Sequence, residues 1–351
     1  MGYEIDFLPV GEGSGDAICL RYGSDDSGYV VHVVDGGYTD TGQAIVDHIN
    51  EHFGAPSRID HVVLSHADRD HAAGLLTVLR SFEIGALWMN RPWLYAEEIL
   101  EAFHGNYAAS GLAAEIRRKY PLIAELEDLA NEYGIPILEA FAGEQIGQFT
   151  VLAPTRTRYL SLIPQFDRTP TSYAKPQKSV ARSIFEMVKE AVRWIETWWD
   201  EKLEENPPSV SASNESSVVQ LGEVDDRKIL LTADAGPVAL AEAADVAAHF
   251  GLLSPPNFVQ VPHHGSRRNV TPSVLNRWLG DIASEGTDRG TAFCSVGTNK
   301  PDFPRKRVVN AFTRRGYGVF VTRGSWISHR FQLPRKGTPL TAEPFSYDYE
   351  E

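Results

Sequence analysis

The chain is short of cysteine, of positive charge and of long apolar runs, and each shortage closes off a class of protein. Cys19 and Cys294 are the only cysteines among 351 residues. Two are too few for a disulfide framework and too isolated for a thiolate metal site. No apolar run approaches the roughly 20 residues that span a bilayer, so no membrane segment is expected. Lys and Arg total 33 against 47 Asp and Glu, a net charge of −14. That balance argues against a tight, sequence-independent binder of duplex nucleic acid, which gains from a basic surface. It does not exclude a nuclease with a local basic groove, and Arg267-Arg268 and Arg305-Lys306-Arg307 are compact basic clusters. The opening Met1-Gly2-Tyr3-Glu4-Ile5-Asp6 is acidic and strand-like, unlike a signal peptide, and Asp6 stands where N-myristoylation wants Ser or Thr. A cytoplasmic protein is the expectation.

What is present is a full complement of core-forming residues, 42% hydrophobic, patterned as short strands and helices. Length allows two domains or one large α/β domain with insertions. Residues 3–10 alternate like an exposed-edge strand, followed by the turn Gly11-Glu12-Gly13-Ser14-Gly15-Asp16 and strands over 17–22 and 29–34. That turn is not a phosphate-cradling loop, since no Gly-Lys-Ser/Thr follows. Residues 41–53 carry Ile45, Ile49 and Phe53 at helical spacing, with His48 and His52 read as surface histidines. Residues 94–132 are helical, broken at Pro121. An insertion over about 155–213 holds an irregular loop marked by Pro164, Pro170 and Pro176, an amphipathic helix Ser179–Leu203 with an aromatic face, and a linker-like 207–213. One domain over 1–335 and a frayed acidic tail over 336–351 complete the plan.

The chemistry concentrates at the ends of three apolar strands. Val62-Val63-Leu64 runs into His66, Asp68, Asp70 and His71; Ile229-Leu230-Leu231 delivers Asp234; Phe258-Val259-Gln260-Val261 delivers His263 and His264. The C-terminal ends of strands are the common place for α/β active sites. Ionisable groups gathered beside buried strands must be paired or must hold a ligand.

This order resembles the metallo-β-lactamase superfamily, with its His-x-His-x-Asp-His signature, later Asp and final His. More closely, it resembles the branch represented by the hydrolase domain of the ComEC/Rec2 competence proteins. Gly13-Ser14-Gly15-Asp16-Ala17, Asp35-Gly36-Gly37, His66-x-Asp68-x-Asp70-His71, Leu230-Leu231-Thr232-Ala233-Asp234, Val261-Pro262-His263-His264-Gly265-Ser266 and Ser295-Val296-Gly297 carry the likeness. The resemblance implies a four-layer αββα sandwich with a helical insertion. It implies two divalent ions, zinc or manganese, held by His66 and Asp68 on one side and by Asp70, His71 and His264 on the other, with Asp234 between them. Asp70 would also orient the nucleophile, and His263 would contact substrate or protonate a leaving group. Ser266, Arg267, Ser295 and Lys300 are candidate substrate contacts. Two departures stand out. Asn214-Glu215-Ser216-Ser217 occupies the place of the superfamily's middle histidine, and Asp302-Phe303-Pro304 replaces Gly-His-Pro.

Two ions sharing a hydroxide would favour hydrolysis of a phosphodiester, since both cations offset charge developing on phosphate oxygens. A phosphodiesterase or nuclease is therefore the leading expectation. Hydrolysis of a small ester, lactone or amide is the alternative, and a catalytically weak metal-binding regulatory module is a third. The expected partners are a phosphodiester or small ester, with nucleic acid and self-association through helix 179–203 left open.

Overall fold

Runs of β-branched and aromatic residues between Gly-, Asp- and Pro-containing turns form fourteen strands in the computed structural model, whose described residues are 1–173, 198–333, 344 and 347. The strands are β1 Gly2–Phe7, β2 Ala17–Ser24, β3 Gly28–Gly36, β4 Arg58–Val63, β5 Glu83–Trp88, β6 Ile137–Leu138, β7 Gln145–Ile146, β8 Phe149–Ala153, β9 Val219–Val224, β10 Arg227–Leu231, β11 Phe258–Gln260, β12 Gly290–Cys294, β13 Tyr317–Val321 and β14 Ile327–Phe331. They make two mixed seven-stranded sheets, ordered β14-β1-β2-β3-β4-β5-β6 and β13-β12-β11-β10-β9-β8-β7. β3 through β6 are parallel neighbours in the first sheet, and β10 through β13 in the second.

The apolar runs in the central strands follow from burial on both faces. Along β3 and β4, Val33 and Val62 point to the helices while Val34 and Val63 point to the other sheet. In β10, Leu230 faces helices, and Ile229 and Leu231 face the first sheet. A core of Tyr3, Ile5, Phe7, Phe149, Phe258 and Phe293 fills the space between the sheets. Helices Thr39–His52, Leu75–Ser81 and Pro121–Glu132 cover the first sheet; Pro237–His249, Pro272–Leu279 and Lys306–Arg314 cover the second. The layers are therefore helix, sheet, sheet, helix, the expected αββα sandwich.

Several local expectations change. β1 is interior, flanked by β14 and β2 with all six residues buried. Its polar face meets partners rather than water: Glu4 accepts from Arg21 at 2.9 Å, and Asp6 pairs with His48 at 2.7 Å. His48 is consequently buried, not a surface histidine, because its acidic partner comes from a strand and not from its own helix. Pro121 occupies the first turn of a new helix after Ala109–Lys119, and residues 92–102 form short 3-10 turns. The start of the expected insertion belongs to the core, since Tyr159, Ile163 and Phe166 pack with Tyr95 and Tyr120. Residues 179–197 of the amphipathic helix lie outside the described residues, while 198–203 are non-helical and tied down by Arg314 and Arg315. Most of the tail also lies outside them, but Tyr347 accepts a hydrogen bond from Arg314 at 2.7 Å.

Candidate metal centre

The C-terminal ends of β3, β4, β10 and β11 meet at one edge of the sandwich, so side chains distant in sequence converge there. β4 leads into Ser65-His66; a short helix, Arg69–Ala72, carries Asp70 and His71; β10 leads to Asp234, and β11 to His263-His264. All of Asp35, Ala233, His263 and His264 adopt left-handed backbone, with φ of 59°, 46°, 46° and 57°. Such residues persist only where surrounding structure holds them, and they cluster at functional sites. Gly15 is required by close packing, since a Cβ there would collide with the Asp70 carbonyl oxygen. A Cβ at Gly297 would likewise strike the Gly13 carbonyl, which locks the Ser-x-Gly motif onto the glycine-rich turn.

Four histidines surround Asp234 with the same orientation. Nε2 of His66, His71 and His263 lies 3.9, 3.7 and 3.5 Å from Asp234 Oδ2, and Nε2 of His264 lies 3.6 Å from Oδ1. Each Nδ1 has its own partner: Ser65 Oγ at 3.0 Å from His66, Asp35 Oδ2 at 2.7 Å from His71, Asn269 Oδ1 at 3.0 Å from His263, and the Ser295 carbonyl at 3.0 Å from His264. Ser65 Oγ donates to Asp35 at 2.6 Å and so accepts from His66. Asn269 Nδ2 donates to the carbonyls of Asp234 and Ala235, which leaves its Oδ1 to accept from His263. These networks put the proton on Nδ1 of every ring and aim the Nε2 lone pairs at a carboxylate.

Lone pairs facing a carboxylate repel unless a proton or a cation lies between them. His66 Nε2, His71 Nε2 and Asp234 Oδ1 are buried and have no hydrogen-bond partner among the described residues. Leaving such atoms unsatisfied is costly, and a His-plus-carboxylate set is a suitable donor set for divalent transition ions. Ligand-type atoms of His66, His71 and Asp234 lie within 4.8 Å of one another, as do those of Asp70, His71 and His264 and those of Asp234, His263 and His264. Asp68 joins on the His66 side, 3.5 Å from its Nε2. The residues present therefore fit a pair of metal ions.

Electrostatics favour the same occupants. Burial opposes charge on these groups, yet His66, with His71 and the Ser213 hydroxyl, holds Asp68 down at about 2. Burial would raise Asp234, but His264, His263 and His71 hold it well below the ordinary carboxylate range. Burial would lower His71, and Asp35 and Asp234 outweigh it to push His71 well above its ordinary value. The carboxylates are thus ionised, as metal ligands must be, and a bound cation would displace the proton from His71.

The structure gathers His66, Asp68, Asp70, His71, Asp234, His263 and His264 in one place. Ser295 is buried beside them, its carbonyl on His264. Ser266 is half-buried, its N–H donating to the His263 carbonyl at 3.0 Å. Arg267 and Lys300 are exposed, with no hydrogen bond or ion pair to the cluster among the described residues. Sequence reasoning assigned no role to Asp16, Asp35, Ser65, Asn214 or Asn269. Asp16, buried and raised chiefly by desolvation, accepts from Gln260 at 2.9 Å. The segment read as a linker also reaches the centre: Ser213 Oγ donates to Asp68 Oδ1 at 3.1 Å. A cavity of about 250 Å³ opens beside Asp68 and Asp70, lined also by Arg69, Tyr120, Asp167, Arg168, Ser211 and Ser213.

Residues 11–150 match the family model of the metallo-beta-lactamase superfamily. No curated protein matches the chain. Among solved structures, similarity extends to CmlA, a diiron beta-hydroxylase from Streptomyces venezuelae, at 14% identity over 92% of this chain and 45% of that one, with a TM-score of 0.37. The metallo-beta-lactamase SMB-1 matches at 9% identity over 88% of this chain and 93% of that one, TM-score 0.34. The metallo-beta-lactamase MIM-1 from Novosphingobium pentaromativorans matches at 11% identity over 78% and 79%, TM-score 0.33. The chain spans less than half the length of CmlA.

Proposed function

We propose that this protein is a two-metal phosphodiesterase of the ComEC/Rec2-like branch of the metallo-beta-lactamase superfamily, whose family model residues 11–150 match. The observation that carries the reading is the convergence of four histidine Nε2 atoms on the buried carboxylate of Asp234. His66 and Asp68 would hold one ion and Asp70, His71 and His264 the other, with Asp234 serving both. Zinc or manganese suits this donor set. Bound there, two divalent cations supply Lewis acidity and charge neutralisation for ester hydrolysis.

The chain's own residues do the rest. Asp35 orients His71 directly and His66 through Ser65. Asp70 is half-buried at the cavity wall and orients the attacking water as a hydrogen-bond acceptor. Arg69 and Arg168 line the same cavity and favour an anionic substrate. Substrate charge, rather than a long basic track, then guides binding, in keeping with the net charge of −14.

The cavity volume supports a second reading, hydrolysis of a small ester or lactone, since about 250 Å³ accommodates only a small group. The test is hydrolysis of bis-(p-nitrophenyl) phosphate and single-stranded DNA with Mn²⁺ or Zn²⁺, comparing wild type with Asp70→Ala. Turnover lost in the variant is the expected result. Turnover of p-nitrophenyl acetate or a lactone, with none on either phosphodiester, would replace the phosphodiesterase reading with the second one.

A further inference from the structure

We propose that His263 is a metal ligand and stands in for the histidine that the sequence lacks at Asn214. The inference rests on the two-metal reading above and deepens it. With Asn214-Glu215 in place of the middle histidine, the His66 side of the centre would be left with His66, Asp68 and a share of Asp234. His263 fills that gap. Its Nε2 lies 3.5 Å from Asp234 Oδ2, the oxygen that His66 and His71 also face, at 3.9 and 3.7 Å, whereas His264 faces Oδ1 at 3.6 Å. The two adjacent histidines therefore address opposite oxygens of one carboxylate.

Consecutive side chains ordinarily diverge. Here both residues are left-handed, at φ 46° and 57°, followed by Gly265 at φ 78°, and this backbone turns both rings towards Asp234. Left-handed backbone is strained for a non-glycine residue, so the arrangement needs something to hold it. Asn269 Oδ1 accepts the His263 Nδ1 proton at 3.0 Å, and the Asn214 amide packs against the same edge of the ring, its Nδ2 3.1 Å from Nδ1. Asn214 thus occupies the place of the absent ligand and positions its replacement. Glu215 fixes that segment by accepting from the Ala239 N–H at 2.7 Å and pairing with Arg158 at 2.6 Å. The Asn269 contact places the proton of the neutral ring on Nδ1 and turns the Nε2 lone pair towards the carboxylate, as a metal ligand requires.

The experiment is metal stoichiometry and affinity, read by equilibrium dialysis with elemental analysis for Zn²⁺ and by the visible spectrum of the Co²⁺-loaded protein. Wild type, His263→Ala, His263→Gln and His264→Ala are compared, with circular dichroism reporting fold. We expect two ions in wild type. Each His263 variant should lose affinity for one ion by at least about 100-fold, beyond the usual effect of an outer-sphere partner, and keep the other. His264→Ala should weaken the other ion, with a different Co²⁺ spectrum. Folded His263 variants that keep wild-type stoichiometry and affinity would overturn the inference, including when their hydrolysis falls. Loss of one ion in a protein that hydrolyses no phosphodiester would uphold it while removing the phosphodiesterase reading.

Discussion

Asp35 Oδ2 lies 2.7 Å from His71 Nδ1, both side chains fully buried, and the same carboxylate accepts the Ser65 hydroxyl at 2.6 Å and the Ser65 N–H at 2.8 Å. One carboxylate therefore sets the ring orientation of two histidines. Asp35→Asn keeps the size and removes the charge that makes His71 basic. Its metal affinity should fall about 10- to 100-fold, as for other outer-sphere partners of a ligating histidine. Zn²⁺ titration of the variant checks this; wild-type affinity would show that Asp35 serves packing alone.

The fold and the metal-type residues were legible because periodicity and strand-end placement are local. Val62-Val63-Leu64 before His66 needs no tertiary knowledge to read as a buried strand. Asp35 was visible as a motif but not as a partner, since its role is contact with residues 30 and 36 positions away. The alternation in β1 misled for a similar reason. A polar stripe meeting Arg21 and His48 looks the same in sequence as one meeting water. His263 and His264 were distinguished by motif position, yet the backbone that turns both inward is a torsional property no spacing displays.

Ala233 has φ 46°, which glycine adopts freely and alanine does not, and it stands where the resembling motif has glycine. Its N–H is fixed by Gln260 Oε1 at 2.9 Å and its carbonyl by the His263 N–H at 3.0 Å, so the strain is held by the site's own hydrogen bonds. Ala233→Gly should stabilise the protein by about 1 kcal/mol. A urea midpoint equal to or below wild type would show that no strain is stored there.

His329 lies in the inter-sheet region, its Nε2 3.1 Å from the Tyr3 hydroxyl and its ring 5.1 Å from that of Phe258. Burial, aided by Arg227, lowers it from 6.5 to about 4. The folded state thus keeps His329 neutral where the unfolded chain already takes up a proton. Its contribution is fully present above pH 6.5 and is lost as pH falls from 6.5 towards 4, reaching about 3 kcal/mol. His329→Gln should flatten that part of the stability profile relative to wild type. Parallel profiles from urea unfolding between pH 4 and 7 would show that His329 is not the titrating group.

Arg168 is exposed at the rim of the cavity beside Asp68 and Asp70, and it forms no ion pair among the described residues. A cation so placed serves the fold little, and it can meet an anionic substrate without first breaking an ion pair. Its attraction acts on the ground state and the transition state alike, because the phosphodiester is charged throughout. Arg168→Ala should therefore raise KM for bis-(p-nitrophenyl) phosphate about tenfold, the size of one charge-assisted hydrogen bond, with kcat nearly unchanged. A neutral ester should show no such change, and added salt should narrow the gap between variant and wild type. A fall in kcat at constant KM would instead place Arg168 on charge that develops during the reaction.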